Sequence, residues 1–110
     1  MVADQPKRFE VHWVCLDPTV GSEMQKTRPA VIVSPDELNQ SLRTVLVAPL
    51  TSTLRPWPFR PQLTIKGRAG QVCLDQLRTL DKQRLVGRMG RLTRPQQALV
   101  LKTLSEMFAP

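Results

Sequence analysis

The chain has no tyrosine, a single histidine, only two cysteines, and 9 acidic residues among 110. Each shortage closes a route to function. His12 alone cannot supply the imidazole pair of a two-histidine acid–base catalyst, nor complete a zinc site, because the cysteines show no C-x-x-C spacing. The acids form no paired motif and no cluster able to hold two metal ions, so neither metal nor cofactor is expected. Cys15 and Cys73 lie far apart in apolar, strand-like runs. A nucleophilic thiol needs a base beside it, and strand alternation sets His12 and Cys15 on opposite faces. Both are therefore expected as buried small hydrophobes without a disulfide. No apolar run approaches membrane-spanning length and the first residues lack a signal-peptide core, so a cytoplasmic protein is expected.

What the chain has in excess is positive charge. Lys and Arg number 16, giving a net charge of +7 and a pI near 10.5. Such a balance favours a polyanionic partner, nucleic acid first and an anionic membrane surface second. The length makes one domain, 1–110, with residues 1–8 expected as a flexible N-terminal extension, and a chain of this size buries roughly two-thirds of its unfolded surface. The pattern is mainly β. Phe9 to Leu16 alternates, which places Phe9, Val11, Trp13 and Cys15 on one face. Residues 17–28 read as a long loop, Ala30–Ser34 as an apolar strand, Pro35–Leu42 as a turn or short helix, and Thr44–Leu50 as a central strand. A proline-rich loop leads to an edge-compatible strand over Gln62–Ile65, a turn over Lys66–Gly70, and strands over Gln71–Asp75 and Arg84–Leu92. Thr93-Arg94-Pro95-Gln96 is a capping box with proline in the first turn. Val100, Leu101, Leu104, Met107 and Phe108 then recur at helical spacing as one packed face. Short strands with one terminal helix predict a small, strongly curved sheet closing on itself.

Three blocks carry the chemistry. Leu16-Asp17-Pro18-Thr19-Val20-Gly21-Ser22-Glu23 leads to Thr27-Arg28-Pro29-Ala30-Val31-Ile32-Val33-Ser34-Pro35. The second block is Val45-Leu46-Val47-Ala48-Pro49-Leu50-Thr51-Ser52-Thr53, and the third is Leu74-Asp75-Gln76-Leu77-Arg78-Thr79-Leu80-Asp81-Lys82. Arginine presents a permanently charged planar fork suited to phosphate, although a solvated loop arginine is an equally plain reading of Arg28 alone. In this order and spacing the blocks resemble the MazF/PemK family of toxin ribonucleases, from about Phe9 to about Phe108. The resemblance implies the SH3-like barrel shared by MazF, PemK and the gyrase poison CcdB. It maps the catalytic arginine to Arg28 and the catalytic threonine to Thr51, facing one phosphate, with Ser22 and Glu23 in support. Glu23 either orients Arg28 or reads a base edge, and a loop-fixing salt bridge is as plain a reading. The chain departs from the family at Met24-Gln25-Lys26, and at Phe9-Glu10, where the family often has glycine-aspartate.

With these side chains the feasible reaction is attack by RNA's own 2′-hydroxyl on the adjacent phosphate, which needs no protein nucleophile and no metal. It needs an in-line backbone with cations and donors around the developing charge. Lys26, Ser52, Thr53, Arg55, Trp57 and Arg60 are candidate RNA contacts, because cations mixed with aromatics suit single-stranded RNA. Trp57 and Phe59 serve equally as barrel closure. Gln76 and Arg78 match a family segment near the substrate groove, or else end a strand in solvent. Three functions stay open: a metal-independent endoribonuclease toxin cutting single-stranded RNA, a gyrase-inhibiting binder on the same fold, and a non-catalytic nucleic-acid-binding barrel. The resemblance also implies a homodimer and a small acidic antitoxin of the MazE/PemI type.

Overall fold

The computed structural model describes residues 5–15 and 27–110. Its elements, in chain order, are β1 (Glu10–Cys15), β2 (Thr27–Ile32), α1 (Asp36–Ser41), β3 (Thr44–Thr51), β4 (Gln62–Ile65), β5 (Arg68–Val72), β6 (Arg78–Asp81), β7 (Leu85–Arg91) and α2 (Arg94–Met107). Single 3-10 turns at Leu74–Gln76 and Lys82–Arg84 flank β6. The strands form one curled, antiparallel, seven-stranded sheet in the order β4-β5-β3-β2-β1-β7, with β6 also paired to β3. This is the mainly β fold with a C-terminal helix expected from the sequence.

Both faces of the sheet are covered, so the central strands read as continuous apolar runs. Phe9, Val11, Val31, Ala48, Leu63 and Val72 pack with Val100 of α2 on one side, and Val14, Ala30, Ile32, Val45, Val47 and Leu80 form a second core on the other. α2 starts as predicted. Thr93 Oγ1 accepts from the Gln96 amide, and the Gln96 side chain accepts from the Thr93 amide. Its inner face is Val100, Thr103, Leu104 and Met107. Leu101 and Phe108, expected on that face, are exposed at 38% and 74%. They sit one position off the i, i+3, i+4, i+7 stripe, and Thr103 takes the inner place by donating to the Leu99 carbonyl.

Other expectations change in detail. Alternation predicts Trp13 on the face of Val11 and Cys15, but it is 41% exposed while its neighbour Val14 is fully buried. Trp13 stands in a cavity wall with Leu50, Leu63, Ile65 and Met89, which belong to or pack against the core of Val11, so it is exposed at the open end of that face. β2 starts at Thr27 rather than Ala30, so Arg28 is a strand residue opposite Val14 and not part of a loop. β5 starts at Arg68, and the segment expected as a strand to Asp75 ends in a 3-10 turn. The Lys66–Gly67 turn is the two-residue type with positive φ at both positions, 50° and 77°. Residues 5–8, expected as part of a flexible extension, are tied down. Lys82 donates to the Gln5 side chain at 2.7 Å, the Arg8 amide donates to Asp36 at 2.8 Å, and Arg8 Nε donates to the Val33 carbonyl at 2.9 Å.

Candidate active site

The site grows out of the β2–β3 ladder. That ladder pairs Ile32 with Val47, Val31 with Ala48 and Ala30 with Pro49. Pro29 has no N–H to continue it. Carrying the same register two residues further sets Arg28 level with Thr51, so two residues from separate motifs meet at one end of adjacent strands. Both line a cavity of about 950 Å³ whose walls also include Trp13, Pro29, Ser52, Thr53, Lys66, Arg68, Gly70 and Arg88.

The chemistry of this cavity is that of an anion site. Arg28 is exposed, and it has no hydrogen-bond or ion-pair partner among the described residues. The Thr53 amide donates to Thr51 Oγ1 at 3.1 Å. Thr51 therefore uses its oxygen as an acceptor within the loop and keeps its hydroxyl hydrogen to give away. A Cβ at Gly70 would lie 3.0 Å from the Thr51 carbonyl oxygen, so a side chain there would press on Thr51. Lys66 and Arg68 arrive on the β4–β5 hairpin and Arg88 on β7. Arg88 is steered by Glu10, whose Oε2 lies 3.1 Å from its Nε. Burial alone would raise the Glu10 carboxyl. His12, with Nε2 3.0 Å from Oε1, the Lys7 amide and Arg88 together outweigh burial and hold it below the ordinary carboxylate range.

Of the residues singled out in the sequence, Arg28, Thr51, Ser52 and Thr53 are brought together. Ser22, Glu23 and Lys26 lie outside the described residues. Arg55, Trp57 and Arg60 form a cluster apart from the cavity. Trp57 stacks on Phe59 with centroids 5.6 Å apart, and Arg60 lies over its ring at 4.5 Å. Arg60 is not free, since it donates twice to the Asp75 carboxylate, at 2.9 and 3.0 Å. That hydrogen-bonded fork holds Asp75 below its ordinary value. Gln71 pins the same loop by accepting from the Arg55 amide and donating to the Arg55 carbonyl. Gln76 and Arg78 are exposed and line no part of the cavity. Cys15 and Cys73 are buried, and burial pushes the Cys73 thiol up, away from nucleophilic use. Sequence reasoning missed Lys66, Arg68, Arg88 and Trp13. Lys66 and Arg68 read only as a turn, and Arg88 stands on a strand with no local motif.

A small basic protein with a curled sheet and a phosphate-sized array of donors at one end of two strands is the class that fold and site define. Comparison narrows the class. A family model described as PemK-like, MazF-like toxin of type II toxin–antitoxin system matches residues 7–108. Endoribonuclease PemK of Escherichia coli is 36% identical over 106 residues, covering 92% of this chain and 78% of that protein. Endoribonuclease toxin MazF of Escherichia coli K12 is 35% identical over 75 residues, 68% of each. An endoribonuclease from a mycobacterial species, solved in complex with its cognate antitoxin, superposes with a TM-score of 0.81 at 25% identity, covering 96% of this chain and 97% of that one. The chain belongs to the PemK/MazF family of type II toxin–antitoxin toxins.

Proposed function

We propose that this chain is the toxin of a type II pair, an endoribonuclease that cuts single-stranded RNA without a metal ion, and that Arg28 and Thr51 are its catalytic residues. The observation that supports the roles is that both stand in the wall of one cationic cavity, with Lys66, Arg68 and Arg88. In the reaction the 2′-oxygen bonds to phosphorus and the bond from phosphorus to the 5′-oxygen breaks. The 2′-hydroxyl proton passes to solvent and the 5′-oxygen regains one. Arg28 stabilises the charge that builds on the phosphate, because a guanidinium stays protonated at any working pH. Thr51 donates to a phosphate oxygen, with Ser52 and Thr53 beside it. Ser22 and Glu23 take the supporting roles that the family resemblance implies. The Trp57 cluster stacks bases further along the strand, where Arg55 is the cation left to bind. The enzyme acts in the cytoplasm as a homodimer, and an acidic antitoxin segment occupies the same groove to silence it. A solution mass equal to one chain would remove the dimer.

The test is incubation with single-stranded RNA in excess chelator, followed by end-group analysis. The expected products carry a 2′,3′-cyclic phosphate and a 5′-hydroxyl, and DNA of the same sequence resists. A magnesium requirement or 5′-phosphate ends would overturn the mechanism. Gel retardation without cleavage would leave a binding barrel, and inhibition of gyrase supercoiling would move the chain to the other branch of the fold.

A further inference from the structure

A second cavity, of about 790 Å³, lies beside the first, and its walls include Lys7, Glu10, His12, Lys82, Arg88 and Arg91. Arg88 stands in the wall of both. The charges of this second cavity do not cancel. Glu10 is the one carboxylate among the described residues that line it, and both of its oxygens are spent. Oε1 meets the Lys7 amide at 2.9 Å and His12 at 3.0 Å, and Oε2 meets Arg88 Nε at 3.1 Å. That contact engages only Nε of Arg88, so its terminal amino groups remain donors. Lys82 is held by a neutral partner, the Gln5 amide oxygen, so its charge is not neutralised. Lys7 and Arg91 make no ion pair among the described residues. The cleavage chemistry uses none of Lys7, Lys82 and Arg91.

We propose that the second cavity binds the phosphates of the same RNA strand flanking the one that is cut, with Arg88 as the hinge of the track and Lys7, Lys82 and Arg91 as its far contacts. The proposal rests on reading the first cavity as the cleavage site. A single strand carries a charge at every nucleotide, so a strand engaged at Arg28 and Thr51 brings further phosphates past Arg88, where unneutralised cations wait. Such contacts are sequence-independent and release counterions. They add affinity for longer RNA without choosing where it is cut.

The experiment is fluorescence anisotropy with 2′-O-methyl RNA, which cannot be cleaved. A short oligonucleotide is compared with the same sequence extended on either side, using wild type and a Lys7→Ala/Arg91→Ala double variant. Both side chains are exposed, and the Lys7 contact to Glu10 runs through its backbone amide, so the fold stays intact. Wild type should gain affinity on extension to one side. The double variant should show no such gain, and its slope of log affinity against log salt on the extended RNA should be shallower by about 1.4, roughly 0.7 for each phosphate left without its cation. A full length-dependent gain in the variant overturns the proposal. So does an equal loss on short and extended RNA. So does a loss confined to binding of an acidic peptide, which would give the cavity to a protein partner. Failure of the cleavage reading shows separately, as wild-type protein that binds with this length dependence and yields no cut ends.

Discussion

Phe9 offers a test of how backbone and core trade against each other. It is 5% exposed, packed in the larger core, and sits at φ +70°. Its amide donates to the Ile32 carbonyl at 2.6 Å and its carbonyl accepts from Leu92 at 2.9 Å, so the chain cannot relax that angle without breaking the join between β1, β2 and the end of β7. The resemblance implies glycine at this position, the residue that a left-handed angle favours. Truncation of a buried Phe to Ala costs about 3–5 kcal/mol, and an alanine would still carry about 1–2 kcal/mol for the left-handed angle. Glycine escapes that penalty, but loses roughly 0.4–1 kcal/mol through its freer unfolded chain. Phe9→Gly should therefore be less stable than wild type by roughly 2–4 kcal/mol, yet more stable than Phe9→Ala by about 0.5–1 kcal/mol. This reverses the ordinary order of the two residues. Urea unfolding followed by far-ultraviolet circular dichroism, at equal m values, reads the difference directly. If Phe9→Ala proves the more stable of the pair, the left-handed angle is not what the family glycine serves.

The remaining predictions concern the site and the loop beside it. Arg28→Ala should abolish cleavage with little change in unfolding midpoint, since the side chain is exposed, and Arg28→Lys should rescue poorly because an ammonium lacks the planar fork. Single-turnover cleavage checks both. Thr51→Ala should slow cleavage on the order of 10²-fold, the worth of one oxyanion donor. Gly70→Ala should slow cleavage by pushing the Thr51 carbonyl, which a new Cβ would meet at 3.0 Å, while RNA affinity holds. In a Trp13→Phe background, Trp57 emission should stay constant from neutral pH down to about 4 and change only below. Asp75 has its carboxyl lowered by Arg60. The pair's contribution is thus complete above the ordinary Asp value and disappears as pH falls through the lowered one. A change near pH 6 would point to another group.

Much of this arrangement is legible in the sequence, for local reasons. The capping box at Thr93 and the apolar runs around Val31 and Val47 are short-range signals, and they yield α2, β2 and β3 with small errors at the ends. The meeting of Arg28 and Thr51 is legible only through family resemblance, because no local rule states that two strands share a register. Trp13 is exposed where its alternation suggests packing, because the cavity beside it is made by other strands and leaves no local trace. β6 does not stand out as a strand because only Leu80 of its four residues is buried and its pairing to β3 is a tertiary choice. Arg60 reads as a free cation because its partner, Asp75, lies on another segment. Arg88 cannot be found at all from its neighbours, since its value comes from Glu10 steering it into the space between two cavities.

The division of one edge of β3 between two partners has a mechanical consequence. β6 takes Thr44 to Val47, and β5 takes only Leu50 and Thr51, with the change falling at Pro49, which has no amide proton to leave unpaired. The β4–β5 hairpin is thus strand-paired to the rest of the sheet at two residue pairs and forms its margin, with Leu63 and Val72 in the core and the Gln96 side chain on the Thr64 carbonyl as its other ties. Margins attached this narrowly open at lower free energy than the whole molecule. Opening here withdraws Lys66 and Arg68 and uncouples Thr51, while β1, β2, β6 and β7 stay assembled. Amide hydrogens of β5 should therefore exchange ahead of those in β1 and β2, and exchange in the reverse order would refute this reading.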